Sequence, residues 1–553
     1  MWKEVDVVAV GGGPAGVAAA LAIKDGVSRM CESIVKGGKL MGSRKMLISV
    51  MIVSIIGFLL VPGAMSAPEK RLIIAVGHEP GSLDQSLVSA GADSVVVENW
   101  GEFPIYRVSR GDLKPGLATS WKMSPDGKEI EFTLRKGVKF HSGDLLTVKD
   151  VQFSFERGMA KNPLTRSRLK SVERFEVIDD YRYKIHFKMP DVLFIPNRGG
   201  MAIVSKSYYE RVGEDKFIKQ PVGTGPYKFV RHASGEYVDM ERFEEYWGEK
   251  PSVKEARFYF VPEDTTRLAR LKTGEVDLIG NCPYPSVKDI EKSPGLKVVR
   301  FASNHPTVSV VFSNRNPKTP WHDRRVRLAM AHAIDCNAII KNVLHGIPNH
   351  WAFFAPHELG YDPNFKHYPY DPKKARELLA EAGYPKGFEL KLYWRITGTY
   401  PMSREVTEAA ASYLEAIDIR TKLVGEEYIT ALSRQRAAKS PEAEYVGCFG
   451  HGRAGGSDPI SSLDIFYSKD GAFSVYSNPE LEKVIAEART TVNDTKRGEL
   501  IKKAVRMIQE DVASIPIYNT VVVYAMKENI NFNPTQKQAL ELVPVKDVTM
   551  SEK

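Results

Sequence analysis

The spacing of apolar residues changes period repeatedly along this chain, and each change predicts an element. Arg71–Val76 is a short apolar run ending in the turn signal Glu79-Pro80-Gly81-Ser82, which predicts a strand. Ile130-Glu131-Phe132-Thr133-Leu134 alternates as a half-buried strand does, and Ser124-Pro125-Asp126-Gly127 before it predicts a tight turn. Tyr181–Phe187 alternates again ahead of Pro190. Elsewhere the period is helical. Val326, Ala329, Met330, Ala333 and Ile334 make one apolar face. Asp335 is placed to cap a following helix, with Ile339, Ile340, Val343 and Leu344 inward before Gly346. Asp371 caps another helix, opened by Pro372, faced by Ala375, Leu378, Leu379 and Ala382, and stopped by Gly383 and Pro385. Leu500, Ile501, Ala504 and Ile508 repeat the pattern. Strands interleaved with capped helices predict an α/β protein of more than one lobe, with these stripes as its core.

The first 66 residues carry two different patterns. Val5–Val10 reads as a strand, Gly11-Gly12-Gly13-Pro14-Ala15-Gly16 supplies G-x-G-x-x-G, and an Ala/Leu-rich helix follows through Leu21. This resembles the first βα unit of flavin-dependent oxidoreductases, in which such a turn meets a pyrophosphate at a helix N-terminus. A working site also needs a second strand ending in an acidic residue about 20 residues later. Here Gly26–Cys31 has no strand pattern, and Glu32 lies on none. Residues 1–40 are therefore read as a fused dinucleotide-binding-like fragment. Gly11, Gly13 and Gly16 are vestigial in this reading, and no cofactor is expected. Next, Lys36, Lys39, Arg44 and Lys45 precede the unbroken apolar run Met46–Val61, then Pro62-Gly63 and the small residues Ala64-Met65-Ser66-Ala67. That order predicts a cleavable secretory signal peptide at 41–66, with Met41 a natural start. The run is 16 residues long, short of the roughly 20 that span a bilayer. No cysteine follows it to carry a lipid, so a soluble periplasmic protein is expected.

Composition narrows the function. The net charge is +9 over 553 residues, and Lys and Arg are scattered among Asp and Glu. No basic block tracks a phosphate backbone, so nucleic acid is not an expected partner. Cys31, Cys282, Cys336 and Cys448 form no C-x-x-C pair. After cleavage three remain, leaving room for one disulfide in a pairing the residues do not choose. His78, His141, His332, His350 and His451 do not cluster, and no metal site is expected. The chain has no G-x-S-x-G, no H-E-x-x-H and no phosphate loop, so it is read as a non-enzyme with no catalytic residues. His141 and Glu79 are read as structural, Glu79 in a turn-stabilising or hinge-side role.

Several segments together resemble the extracellular solute-binding proteins that serve ABC importers, in the family with dipeptide-, oligopeptide- and nickel-binding members. They begin with Asp112-Leu113-Lys114-Pro115-Gly116-Leu117-Ala118-Thr119-Ser120-Trp121, then Leu134–His141 and Asp150–Phe155. Pro221-Val222-Gly223-Thr224-Gly225-Pro226-Tyr227, Tyr246-Trp247-Gly248 and Leu271–Asp277 follow. Val326–Asp335, Ala382-Gly383-Tyr384-Pro385 and Ile515-Pro516-Ile517-Tyr518 complete the series. The likeness runs from about Leu72 to about Asn533.

The resemblance implies a two-lobed periplasmic-binding-protein fold of the type II kind, with a hinge and an interlobe cleft. Lobe I would take 67–305 plus 515–545, and lobe II 306–514. Function would be capture of a peptide or similar small polar solute by hinge closure, and delivery by a monomer to an ABC permease and its ATPase. Family analogy places ligand contacts on Trp394, Arg395 and Tyr400, and on Phe449, His451, Arg453 and Asp458. Peptide-binding relatives hold the ligand's amino group with an aspartate whose position falls near Gly455 here. An anionic or zwitterionic ligand gripped mainly by arginine is the resulting expectation. The alternative is an FAD-dependent oxidoreductase resting on Gly11–Gly16.

Overall fold

Twelve strands make the two main sheets of the protein, which is described here from a computed structural model. The structure describes residues 71–551 except 88–93, 110–111, 163–164, 167–168, 196–200, 302–306, 349–352, 355–357, 397–400, 452–457, 472 and 535–542. The expected N-terminal fragment, with Gly11, Gly13 and Gly16, and the expected signal peptide at 41–66 lie outside these residues.

The strands are β1 (Leu72–Val76), β2 (Tyr227–Ala233), β3 (Tyr237–Arg242), β4 (Glu255–Phe260), β5 (Leu278–Ile279) and β6 (Leu296–Phe301). They continue with β7 (Thr307–Phe312), β8 (Phe388–Arg395), β9 (Ile419–Glu426), β10 (Val446–His451), β11 (Ser514–Asn519) and β12 (Val522–Lys527). The first sheet has the order β6-β12-β5-β1-β4-β3-β2, and the second β9-β8-β10-β7-β11. In the first, β1 runs parallel to β4 and β5. In the second, β8 runs parallel to β9 and β10.

The register fixes where the chain passes between the sheets. β6 and β12 are antiparallel, with Phe301 opposite Val522. β7 and β11 are antiparallel, with Thr307 opposite Asn519. The chain therefore crosses twice, side by side, once after Phe301 and once through Thr520-Val521. β11 sits in the second sheet, five residues past the boundary at 514 expected from the resemblance, and the return to the first sheet begins at Val522.

Each sheet is covered on both faces. One face of the first sheet packs Leu72, Ile74, Phe258, Tyr524 and Met526 against Trp100 and the C-terminal ribbon Ile530–Phe532/Val548–Met550. The other joins Ala75, Val261 and Ile279 to a core that includes Val308, Val310 and Ile517 of the second sheet. A separate four-stranded antiparallel sheet, built from residues 118–187, packs on the helix Val148–Lys161 with its own core. Three helices, Pro459–Tyr467, Pro479–Thr490 and Asp494–Glu510, form a further cluster.

Local signals resolve as expected at several points. Asp371 accepts from the Lys374 amide at 2.9 Å and caps Pro372–Glu381. The helix expected after Asp335 differs. Asp335 caps a three-residue α-turn, Cys336–Ala338, which passes into the π-helix Ile339–Val343. The wider turn, closed by the Leu344 amide on the Ile339 carbonyl at 3.0 Å, keeps both of those side chains buried. The described cysteines Cys282, Cys336 and Cys448 are all free thiols, so the disulfide left open by the sequence is not formed among them.

Candidate functional site

In open α/β sheets ligands bind beyond the carboxyl ends of parallel strands. In the first sheet those ends are Val76, Phe260 and Ile279; in the second they are Arg395, Glu426 and His451. Both edges are the ones from which the chain crosses. Phe301 and Val522 leave the first sheet where β1 and β5 end, since the Cys282 amide bonds the Val523 carbonyl at 2.8 Å. Thr307 enters the second sheet opposite His451. The two carboxyl edges thus adjoin the same pair of crossings.

On the second edge, parallel pairing sets Trp394 beside Gly425 and Arg395 beside Glu426. A Cβ on Gly425 would stand 3.0 Å from the Trp394 ring, so the absence of a side chain there lets the indole lie across the neighbouring strand. Arg395 points to the opposite face, toward the helix Tyr428–Ala437. It is 7% exposed, donates to Gln435 Oε1 at 3.2 Å and places its guanidinium 5.1 Å from the ring centre of Phe449. Phe449 is buried with Tyr393, Tyr445 and Val311. Tyr393 and Tyr445 stack at 5.5 Å, and Arg434 covers Tyr393 at 4.5 Å while bonding Glu426 at 2.5 Å. Arg395 and Phe449 therefore brace this edge from beneath.

Asp458 is buried at the N-terminus of Pro459–Tyr467. Its carboxylate accepts from the Ile460 amide at 2.9 Å and pairs with Arg497 at 3.4 Å. Burial raises its carboxyl above the usual range, against the opposing effect of Arg497. His451 is placed by its backbone at the end of β10. Tyr400 and Arg453 lie outside the described residues. Glu426, Arg434 and Gln435 were missed by sequence reasoning, since they join the cluster only through parallel pairing and a helix crossing.

On the first edge, Glu79 accepts from the Gly235 amide at 2.9 Å and from His232 at 2.5 Å, tying the loop after β1 to the β2–β3 hairpin. His141 is held at two ring nitrogens: Nε2 lies 2.9 Å from the Gly225 carbonyl, and Nδ1 accepts from the Gly223 amide at 3.4 Å. Burial lowers its pKa to about 4, so the ring stays neutral and structural. Among the described residues no group of three or more His, Cys, Asp or Glu side chains is arranged to hold a metal ion.

A two-lobed α/β body, crossed twice beside the carboxyl edges of both sheets, defines the class of periplasmic solute-binding proteins. Residues 112–474 match the family described as bacterial extracellular solute-binding proteins, family 5, middle. The chain belongs to that family, whose members serve as the solute-capturing components of ABC importers. It is 27% identical to the dipeptide-binding protein of Escherichia coli strain K12, over 87% of this chain and 96% of that one. It is 30% identical to heme-binding protein A of Haemophilus influenzae, over 74% and 79%. Among solved structures, it resembles the periplasmic binding protein DppA of Helicobacter pylori in complex with peptide STSA. The TM-score is 0.77 at 26% identity, covering 87% of this chain and 98% of that one. The matched family segment begins well past Gly11–Gly16, and the flavin alternative gains no support.

Proposed function

We propose that the protein captures a small zwitterionic or anionic solute of the peptide class between its two carboxyl edges, and delivers it to a membrane permease and its ATPase. The topology carries this reading: both edges adjoin the two crossings, so a ligand touching both stabilises the closed form by its differential contacts. Lobe I comprises the first sheet and the four-stranded sheet, and lobe II runs from β7 to β11. Trp394, Tyr400, His451 and Arg453 are the residues proposed to contact the ligand on the second lobe. Arg395, Phe449 and Asp458 hold them in place. The relatives support the solute class, being named for dipeptides and heme or holding the peptide STSA.

In this reading the leader 41–66 is removed and the mature monomer works in the periplasm without a cofactor or bond-making chemistry. Among the described residues no helix is long and apolar enough to cross a membrane. Thermal-shift screening against dipeptides, tripeptides, glutathione, heme and nickel–histidine tests the ligand class. Di- or tripeptides should raise the melting temperature in a concentration-dependent way. Stabilisation by neutral sugars or metal ions alone would overturn it.

A further inference from the structure

We infer that the turn 190–194 of the first lobe is a second interlobe contact, and that it sets how far the empty protein stands open. The inference rests on the hinge-closure reading above. Around the crossings the two lobes necessarily share a core, and Ala75, Val261 and Ile279 do so with Val308, Val310 and Ile517. The four-stranded sheet lies apart from that core and has its own. Yet Val192 and Leu193, in the turn after its strand Arg182–Phe187, are only 8% and 6% exposed. They are buried in the apolar cluster of the second lobe's helices, with Phe353, Ile460, Leu463 and Leu481. Phe194 next to them packs into the home core.

The turn is braced for this. The Asp191 carboxylate accepts from the Leu193 amide at 2.9 Å and from the Ser171 hydroxyl. Its amide reaches the Gly127 carbonyl at 3.4 Å. Gly127 lies so near the second lobe that a Cβ on it would stand 3.0 Å from Val492 Cγ2, in the loop between the helices Pro479–Thr490 and Asp494–Glu510. The contact is thus apolar, double-sided and outside the shared core at the crossings.

An apolar contact made in one conformation stabilises that conformation whether or not ligand is present. Taken as a contact of the closed form, this one favours closure of the empty protein and slows release of a bound solute. Two sets of changes test it in the purified protein. Val192→Ser with Leu193→Ser removes the contact itself; Val492→Asp sets a charge on the second-lobe loop facing Gly127 beside it, at a residue 42% exposed and outside the apolar clusters. The readouts are the distance between nitroxides at Glu173→Cys and Lys483→Cys, and hydrogen exchange in Pro459–Tyr467. Both variants should show a longer ligand-free distance, faster exchange and dipeptide release accelerated several-fold. Wild-type distance and exchange in both variants, with only a lower melting temperature, would overturn the inference and leave solute capture standing. If a saturating dipeptide that stabilises the wild type left its label distance unchanged, the hinge reading would fail and the inference with it.

Discussion

Glu102 shows most clearly how single residues hold this protein. It is almost fully buried, and four side chains donate to its carboxylate: Tyr106, Tyr246 at 2.9 Å, Thr224 at 2.9 Å and Trp247 at 2.7 Å. Burial still holds its carboxyl above the usual range. Glu102→Gln turns an amide toward two of those donors and should cost about 2–4 kcal/mol, read as a lower urea midpoint at unchanged slope. Tyr183 is the opposite case. It stacks between Phe132 and Phe175, both at 5.0 Å, and its buried hydroxyl has no partner among the described residues. Tyr183→Phe should be neutral or stabilising by up to about 1 kcal/mol. A loss of more than that would show that the hydroxyl is bonded. His141 sets a pH dependence. Its folded pKa of about 4 lies below the unfolded value of 6.5, so its share of stability is complete above pH 6.5 and is lost as pH falls toward 4. About 3 kcal/mol is the upper bound on that loss. Urea midpoints for wild type should fall between pH 6.5 and 4.5 by more than those of His141→Gln.

At the scale of elements, the recurring segments that mark the family turn out to be joints. Gly223 and Gly225 are needed because a Cβ on either would strike the Trp100 backbone, at 1.9 Å from its oxygen and 2.7 Å from its carbonyl carbon. The segment carrying them meets His141 of the first motif and, through Thr224, Glu102. Arg327 of Val326–Ala329 is buried and bonds the Trp321 and His322 carbonyls and the Asp511 carboxylate. Asp277 bonds the Ile73 amide at 2.8 Å and Lys527 at 2.7 Å, knitting β1 to β12. The fold was legible because residues at such joints admit few substitutes, and β and helical periods mark the elements between them. The site was not, because Trp394, Arg395 and Phe449 acquire their neighbours only when β8 pairs with β9 and β10. Glu102 itself lay in none of the recognised segments, although two of them converge on it.

The crossings offer a prediction of their own. The Tyr284 hydroxyl donates to the Val521 carbonyl at 2.7 Å and accepts from its amide at 3.2 Å, clipping the backbone where β11 passes into β12. On the other side Asn519 bonds Thr307 at 2.9 Å. Tyr284→Phe leaves both Val521 groups buried and unmet, and should speed exchange at residues 519–523 while the rest of the protein keeps its protection. Of the thiols, Cys282 and Cys448 are buried and Cys336 is partly so. Burial pushes Cys282 and Cys336 up to about 12 and Cys448 to about 11. A thiol reagent should find them unreactive in the folded protein and titrate three per chain in denaturant, or four if Cys31 is retained.

For the whole molecule, the two main sheets and the two crossings between them underlie the proposal that the body bends at the crossings. Small-angle scattering with and without a stabilising di- or tripeptide tests this most directly. The account predicts a smaller radius of gyration on saturation, with the peptide recovered chemically unchanged. Superimposable profiles at saturation, or a consumed peptide, would contradict it.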